Sequence, residues 1–139
     1  MIRELARDEE LLSQPCEPAT AEDAELAQDL VDTLLSIDDA ACIAANQIGV
    51  SKCVIAYIDE HDNPQVMYNP KILLGLNAYK AEESCLTRDE VAKVTRFNKV
   101  KVQYQVLQDG TLRTRKRDFT GWTAQIIQHM VDHCKGKLV

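Results

Sequence analysis

His129 and His133 stand four residues apart, and two imidazoles at i and i+4 on a helix project from one face toward a common point. Such a pair can hold a cation, or it can be two packed rings with ordinary hydrogen bonds; the spacing alone fits both. A metal site needs a third donor. Of the five cysteines, Cys85 lies between Glu82-Glu83-Ser84 and Thr87-Arg88-Asp89, a polar setting that suits a loop or strand edge. Cys42, Cys53 and Cys134 have apolar neighbours, where a thiol packs as a small hydrophobe. One thiolate and two imidazoles leave one tetrahedral position open, which distinguishes a catalytic metal site from a closed structural one, and water held there is acidified.

The elements that must position these residues follow from periodicity and punctuation. Residues 20–36 form a helix: Thr20 and Asp23 make a capping-box pattern, Pro18 precedes it, and Leu26, Leu30 and Leu34 recur at helical spacing. The small residues from Ala40 to Ala45 then lead through Asn46, Gln47 and Ile48 to a turn signal at Gly49. Residues 53–58, 65–74 and 100–107 read as short strands, rich in β-branched and apolar side chains and separated by polar turns such as Asp62-Asn63-Pro64. Gln108-Asp109-Gly110-Thr111 is a hairpin turn, with 112–118 as the returning strand. Residues 120–135 form the last helix, with Thr120 as its cap, Gly136 as its terminator and Lys135 where the helix dipole favours a cation. Trp122, Ile126, Ile127, Met130 and Cys134 make one apolar stripe, the two histidines lie at its edge, and Gln128, Asp132 and Lys135 face the other way.

Composition narrows the setting. The 139 residues carry 16 Lys+Arg against 22 Asp+Glu, a net charge of −6, and no linker, repeat or low-complexity tract divides them. We therefore expect a single domain over 1–139, long enough to fold without a disulfide or metal. An acidic chain without a basic stripe does not suit a nucleic-acid partner. Acids mixed into the first ten residues do not suit a signal or transit peptide, and no apolar run approaches the ~18 residues of a membrane span. Five cysteines without a CxxC pair fit a reducing compartment, so the expected location is cytoplasmic, with no membrane partner.

Three ordered motifs resemble those of peptide deformylases, the metal-dependent hydrolases that remove the formyl group from the N-terminal methionine of new proteins. The family's GxGLAAxQ corresponds to Ala40-Ala41-Cys42-Ile43-Ala44-Ala45-Asn46-Gln47, EGCLS to Glu83-Ser84-Cys85-Leu86-Thr87, and HExDH to His129-Met130-Val131-Asp132-His133. Ile48-Gly49, Asn69-Pro70, Arg96 and Gly136-Lys137-Leu138 add to the likeness, which runs from about residue 20 to the end. The resemblance implies an α+β fold with antiparallel β-sheets around a C-terminal metal-binding helix, and an N-terminal helix beside them. It implies that Cys85, His129 and His133 hold one divalent metal ion, iron(II) in the family and replaceable by zinc, nickel or cobalt. Gln47 and the backbone N–H of Leu86 would stabilise the oxyanion, Ala40, Ala41 and Cys42 would flank an N-formylmethionyl peptide or nascent chain, and Glu83 and Arg96 would support the ligands.

The departures are specific. Met130 stands where the family carries the glutamate that takes a proton from the attacking water and returns one to the leaving amine, and a thioether has no exchangeable proton. Ala40, Cys42 and Ser84 replace glycines, adding side chains where family members keep a bare backbone. The sequence ends at Val139, three residues after Gly136, whereas longer family members continue into a further helix. Two functions follow as expectations: a deformylase-like hydrolase of low activity, or a non-catalytic protein that uses the same fold to bind a metal or a peptide.

Overall fold

A computed structural model describes the backbone of residues 1–139 and every side chain except those of Arg88 and Asp89. A short helix α1 (Glu9–Leu12) and a 3-10 turn (Ala21–Asp23) precede helix α2 (Ala24–Ser36). Strand β1 (Cys42–Ala44) runs into a second 3-10 turn (Ala45–Ile48), followed by β2 (Val54–Ile58), β3 (Pro64–Cys85), β4 (Arg88–Gln108), β5 (Thr111–Thr120) and helix α3 (Gly121–Cys134). The five strands form one antiparallel sheet in the order β1-β2-β3-β4-β5.

The expected cap at Thr20 closes the 3-10 turn that leads into α2, not α2 itself: the Thr20 hydroxyl accepts from the Glu22 N–H, and the Thr20 N–H donates to Asp23. The period of two in β1 and β2 then divides the core. Ile43, Val54 and Ala56 pack with Leu30 and Leu34 of α2, while Ala44, Ile55 and Tyr57 pack with Ile127 and Met130 of α3. Because both faces of these strands are covered, they read as continuous apolar runs rather than as an alternation.

β3 and β4 extend well beyond the residues 65–74 and 100–107 that the sequence pattern marks. Their outer halves are a two-stranded ribbon with residues such as Lys80, Glu82 and Lys93, so half-burial no longer patterns the side chains. Register shifts at Tyr68/Lys71, Ile72/Leu74 and Glu83/Cys85 interrupt the ladder, and such bulges bend and twist a strand. The hairpin at Asp109-Gly110 forms as expected, with Gly110 at φ +77°.

The last helix departs from the wheel in three places. Thr120 precedes it but makes no side-chain cap hydrogen bond. Trp122, assigned to the buried stripe, is 63% exposed, because the first turn of α3 overhangs the edge of the core. Gln128 and Asp132, assigned to solvent, pack against β4: Gln128 hydrogen-bonds both the N–H and the carbonyl of Phe97 at 2.9 Å, and Asp132 accepts from Arg96. A helix lying on a wide sheet buries polar residues beside its apolar stripe when the strand supplies their partners.

Candidate functional site

Cys85 is the last residue of β3, where Leu86 and Thr87 turn the chain into β4. His129 and His133 come from successive turns of α3, both buried. The donor atoms of these three residues all lie within 4.8 Å of one another. The two histidine Nε2 atoms face each other at 3.2 Å. Two nitrogens each about 2.0–2.1 Å from a tetrahedral cation stand roughly 3.3 Å apart, so the pair already has the spacing of two ligands. The sequence residues predicted to hold a metal therefore converge, and the soft and borderline donor set fits a divalent transition metal.

Supporting contacts orient these donors. His129 Nδ1 lies 2.8 Å from Glu83 Oε1, which leaves Nε2 directed at the other donors. Glu83 in turn receives Arg96 Nε at 3.0 Å, Arg96 Nη2 at 2.7 Å and Gln125 Nε2 at 2.8 Å. Arg96 Nη1 reaches the half-buried Asp132 at 2.6 Å, so the buried Arg96 lies between two carboxylates. A carboxylate on the far nitrogen of a ligand histidine fixes its tautomer and ring orientation.

The electrostatics follow from the same contacts. Burial opposes ionisation of the Cys85 thiol, but hydrogen bonds from His129, His133 and Thr87 overcome it and hold the thiol at about 5. Burial likewise opposes the Glu83 carboxylate, and His129, Arg96 and Gln125 outweigh it to hold that group at about 2. His129 shifts up despite burial because Cys85 and Glu83 favour its cation, whereas burial takes His133 down. Cys85 is thus poised as a thiolate ligand, while burial pushes Cys42 up to about 12 and keeps it a neutral wall.

A cavity of about 370 Å³ opens over this cluster. Ala40, Ala41, Cys42 and Gln47 line one side, Cys85 and Leu86 another, and His129 and Met130 the floor. Gln47 is held from both ends: its Oε1 accepts from the Ala44 N–H at 2.9 Å and its Nε2 donates to Thr87 Oγ1 at 3.3 Å. Met130 is 1% exposed, shared between the core and the cavity floor. His133 and Arg96 are not among the cavity's lining residues.

Sequence reasoning missed three participants. Thr87, 3.4 Å from the Cys85 sulfur, was visible only as a motif position. Gln125 lies four residues before His129, a helical spacing that could have drawn attention to it. Asp132 could not be found from the wheel, because its partner Arg96 lies on a strand segment that carried no pattern.

The pattern of the family described as polypeptide deformylase matches residues 2–139. A peptide deformylase of Clostridium beijerinckii is 36% identical over 141 residues, covering 100% of both chains. Peptide deformylase 2 of Vibrio cholerae is 34% identical over 81% of this chain and 67% of its own. Among solved structures, the class I type b peptide deformylase of Acinetobacter baumannii superposes with a TM-score of 0.86 at 33% identity, covering 99% of this chain and 97% of that one. The Acinetobacter baumannii protein has also been solved with Met-Ala-Ser and with actinonin bound. Peptide deformylase from Thermus thermophilus gives a TM-score of 0.84 at 25% identity over 99% and 83% of the two chains.

Proposed function

The chain belongs to the peptide deformylase family, and from that premise we propose that residues 1–139 act as one cytoplasmic, metal-loaded deformylase-like unit. It engages N-formylmethionyl peptides but turns them over slowly, because Met130 occupies the place of the general base. The observation that carries this reading is the contrast on one helix: His129 and His133 converge with Cys85, while the side chain between them is a thioether buried at the cavity floor. No helix among the described residues is long and apolar enough to cross a membrane.

Cys85, His129 and His133 would hold the ion, iron(II) by family habit, with zinc, nickel or cobalt compatible with the same donors. When bound, the ion supplies Lewis acidity and lowers the pKa of a water. The remaining steps belong to the chain. Gln47 Nε2 turns its N–H from Thr87 to the formyl oxygen, where charge develops in the transition state, and the backbone N–H of Leu86 serves the same oxygen. Ala40 and Ala41 lead into β1, the terminal strand of the sheet, and Cys42 begins it, so an extended peptide can add along this edge by main-chain hydrogen bonds. The Acinetobacter baumannii protein, solved with Met-Ala-Ser bound, supports a peptide as the ligand. Glu83 and Arg96 keep His129 in its ligand orientation. Met130 can accept no proton from the water and deliver none to the departing amine. The added side chains of Ala40, Cys42 and Ser84 narrow the peptide channel and mark a divergent member.

Formate release from an N-formylmethionyl tripeptide tests this reading, with the natural protein loaded anaerobically and the Cys85→Ala variant beside it. Slow release that disappears in Cys85→Ala is the expected result. Peptide binding without any release supports instead a non-catalytic metal- or peptide-binding protein, and absence of both binding and release refutes the proposal.

A further inference from the structure

The structure brings together a second set of soft donors that the deformylase reading does not use. Cys16, Cys53 and Cys134 have their Sγ atoms within 4.8 Å of one another, and all three are free thiols. They come from three separate parts of the chain: the segment between α1 and the 3-10 turn ahead of α2, the residue before β2, and the last residue of α3. Backbone hydrogen bonds hold the convergence. The Cys16 N–H donates to the Cys134 carbonyl at 2.8 Å, the Cys53 N–H to the Glu17 carbonyl at 2.9 Å, and the Asn69 N–H to the Cys53 carbonyl at 2.7 Å.

We propose that Cys16, Cys53 and Cys134 form a second metal site, separate from the Cys85–His129–His133 cluster, that takes a thiophilic cation, zinc(II). Three thiolates about 2.3 Å from a tetrahedral zinc stand roughly 3.8 Å from one another. Sulfurs already within 4.8 Å reach that spacing by small side-chain adjustments, with the backbone fixed. A disulfide uses two of the three and strands the third, whereas a single soft cation uses all of them. Cys134 forms the buried base at 7% exposure, and the half-buried Cys16 and Cys53 leave a path from solvent.

Binding releases three thiol protons to solvent and forms three Zn–S bonds; the hydrogen bond from Cys53 Sγ to the Cys16 carbonyl, 3.4 Å long, is given up. Zinc(II) with three thiolates carries one net negative charge beside Lys52, and water fills the fourth position. The occupied site ties the N-terminal segment and β2 to the last turn of α3, one residue beyond His133. This inference does not depend on the deformylase reading.

Anaerobic titration of the metal-free protein with zinc alone tests it. Two equivalents per chain are expected for the natural protein, one for Cys16→Ser/Cys53→Ser and one for Cys85→Ala. In Cys85→Ala the remaining zinc should show three sulfur scatterers in X-ray absorption, which requires no substitution in the trio. One equivalent in the natural protein, retained by Cys16→Ser/Cys53→Ser, or a Cys85→Ala spectrum without three sulfurs, overturns the second site and returns the three thiols to packing. A natural protein that binds one equivalent lost only in Cys16→Ser/Cys53→Ser upholds this site and instead defeats the Cys85 cluster.

Discussion

Replacing Met130 with glutamate should restore turnover at a cost in stability, and both magnitudes follow from where the side chain sits. Met130 follows His129 directly, is 1% exposed and forms part of the cavity floor. A carboxylate of similar length would point into the same cavity and could exchange protons with a water there. General acid–base catalysis contributes about 10²–10⁴ in rate, or roughly 3–5 kcal/mol of barrier. The same substitution removes a buried apolar side chain worth about 1.5–3 kcal/mol and adds a group that favours solvent. A chain of this size should therefore lose several degrees in Tm, on the order of 5–10 °C. Formate release from an N-formylmethionyl peptide, at matched metal occupancy, should show kcat rising by about 10²–10⁴ with little change in KM, because the glutamate acts on the proton and not on the peptide. Met130→Gln has the length and polarity of glutamate without its basicity, and it should gain nothing. An unchanged kcat in a folded, metal-loaded Met130→Glu protein, or an equal rise in Met130→Gln, would refute the reasoning.

Other substitutions probe the scaffold. Arg96→Ala leaves the buried Glu83 carboxylate without its cation and takes one from the half-buried Asp132, and chemical denaturation should show a loss of about 3–5 kcal/mol, whereas removing an exposed pair costs at most about 1. Gly136 ends α3 at φ +79°, and a Cβ built there falls 2.6 Å from the Ser13 carbonyl oxygen and from the Gln14 backbone; Gly136→Ala should cost about 1–3 kcal/mol, and an unchanged Tm would show that the N-terminal segment does not pack there in solution. Glu83 is held at about 2 in the folded chain against an ordinary value of 4.5, a depressed carboxylate, so its stabilisation is complete above about pH 4.5 and is lost as pH falls toward 2. The acid limb of the metal-free protein's stability should flatten in Glu83→Gln, and identical limbs would contradict the Glu83 contacts.

What the sequence made legible was whatever repeats locally or packs on two sides. The capping pattern at Thr20, the leucines of α2, the Asp109-Gly110 hairpin and the apolar run of β2 each announce themselves within a few residues. The convergence of Cys85, His129 and His133 was legible because residue type and motif order both select them. The outer halves of β3 and β4 were not, since a ribbon solvated along much of its length has no buried face to pattern it. Trp122 was misplaced because the wheel records the angle around a helix and not where along it burial begins, which here is at Ala124. Gln128 and Asp132 were misplaced for the complementary reason: Phe97 and Arg96, their partners, lie on a strand more than thirty residues away. The cysteine trio escaped notice because each member taken singly looks like a packing thiol, and only the fold brings them within 4.8 Å.

The central proposal is that Cys85, His129 and His133 hold a metal ion although Met130 stands between the two histidines. X-ray absorption at the metal edge of the natural protein carrying one equivalent of iron(II) tests it most directly. One sulfur and two imidazole nitrogens among the scatterers is the predicted result, matching Cys85, His129 and His133. A spectrum with no sulfur, or with three, would contradict it.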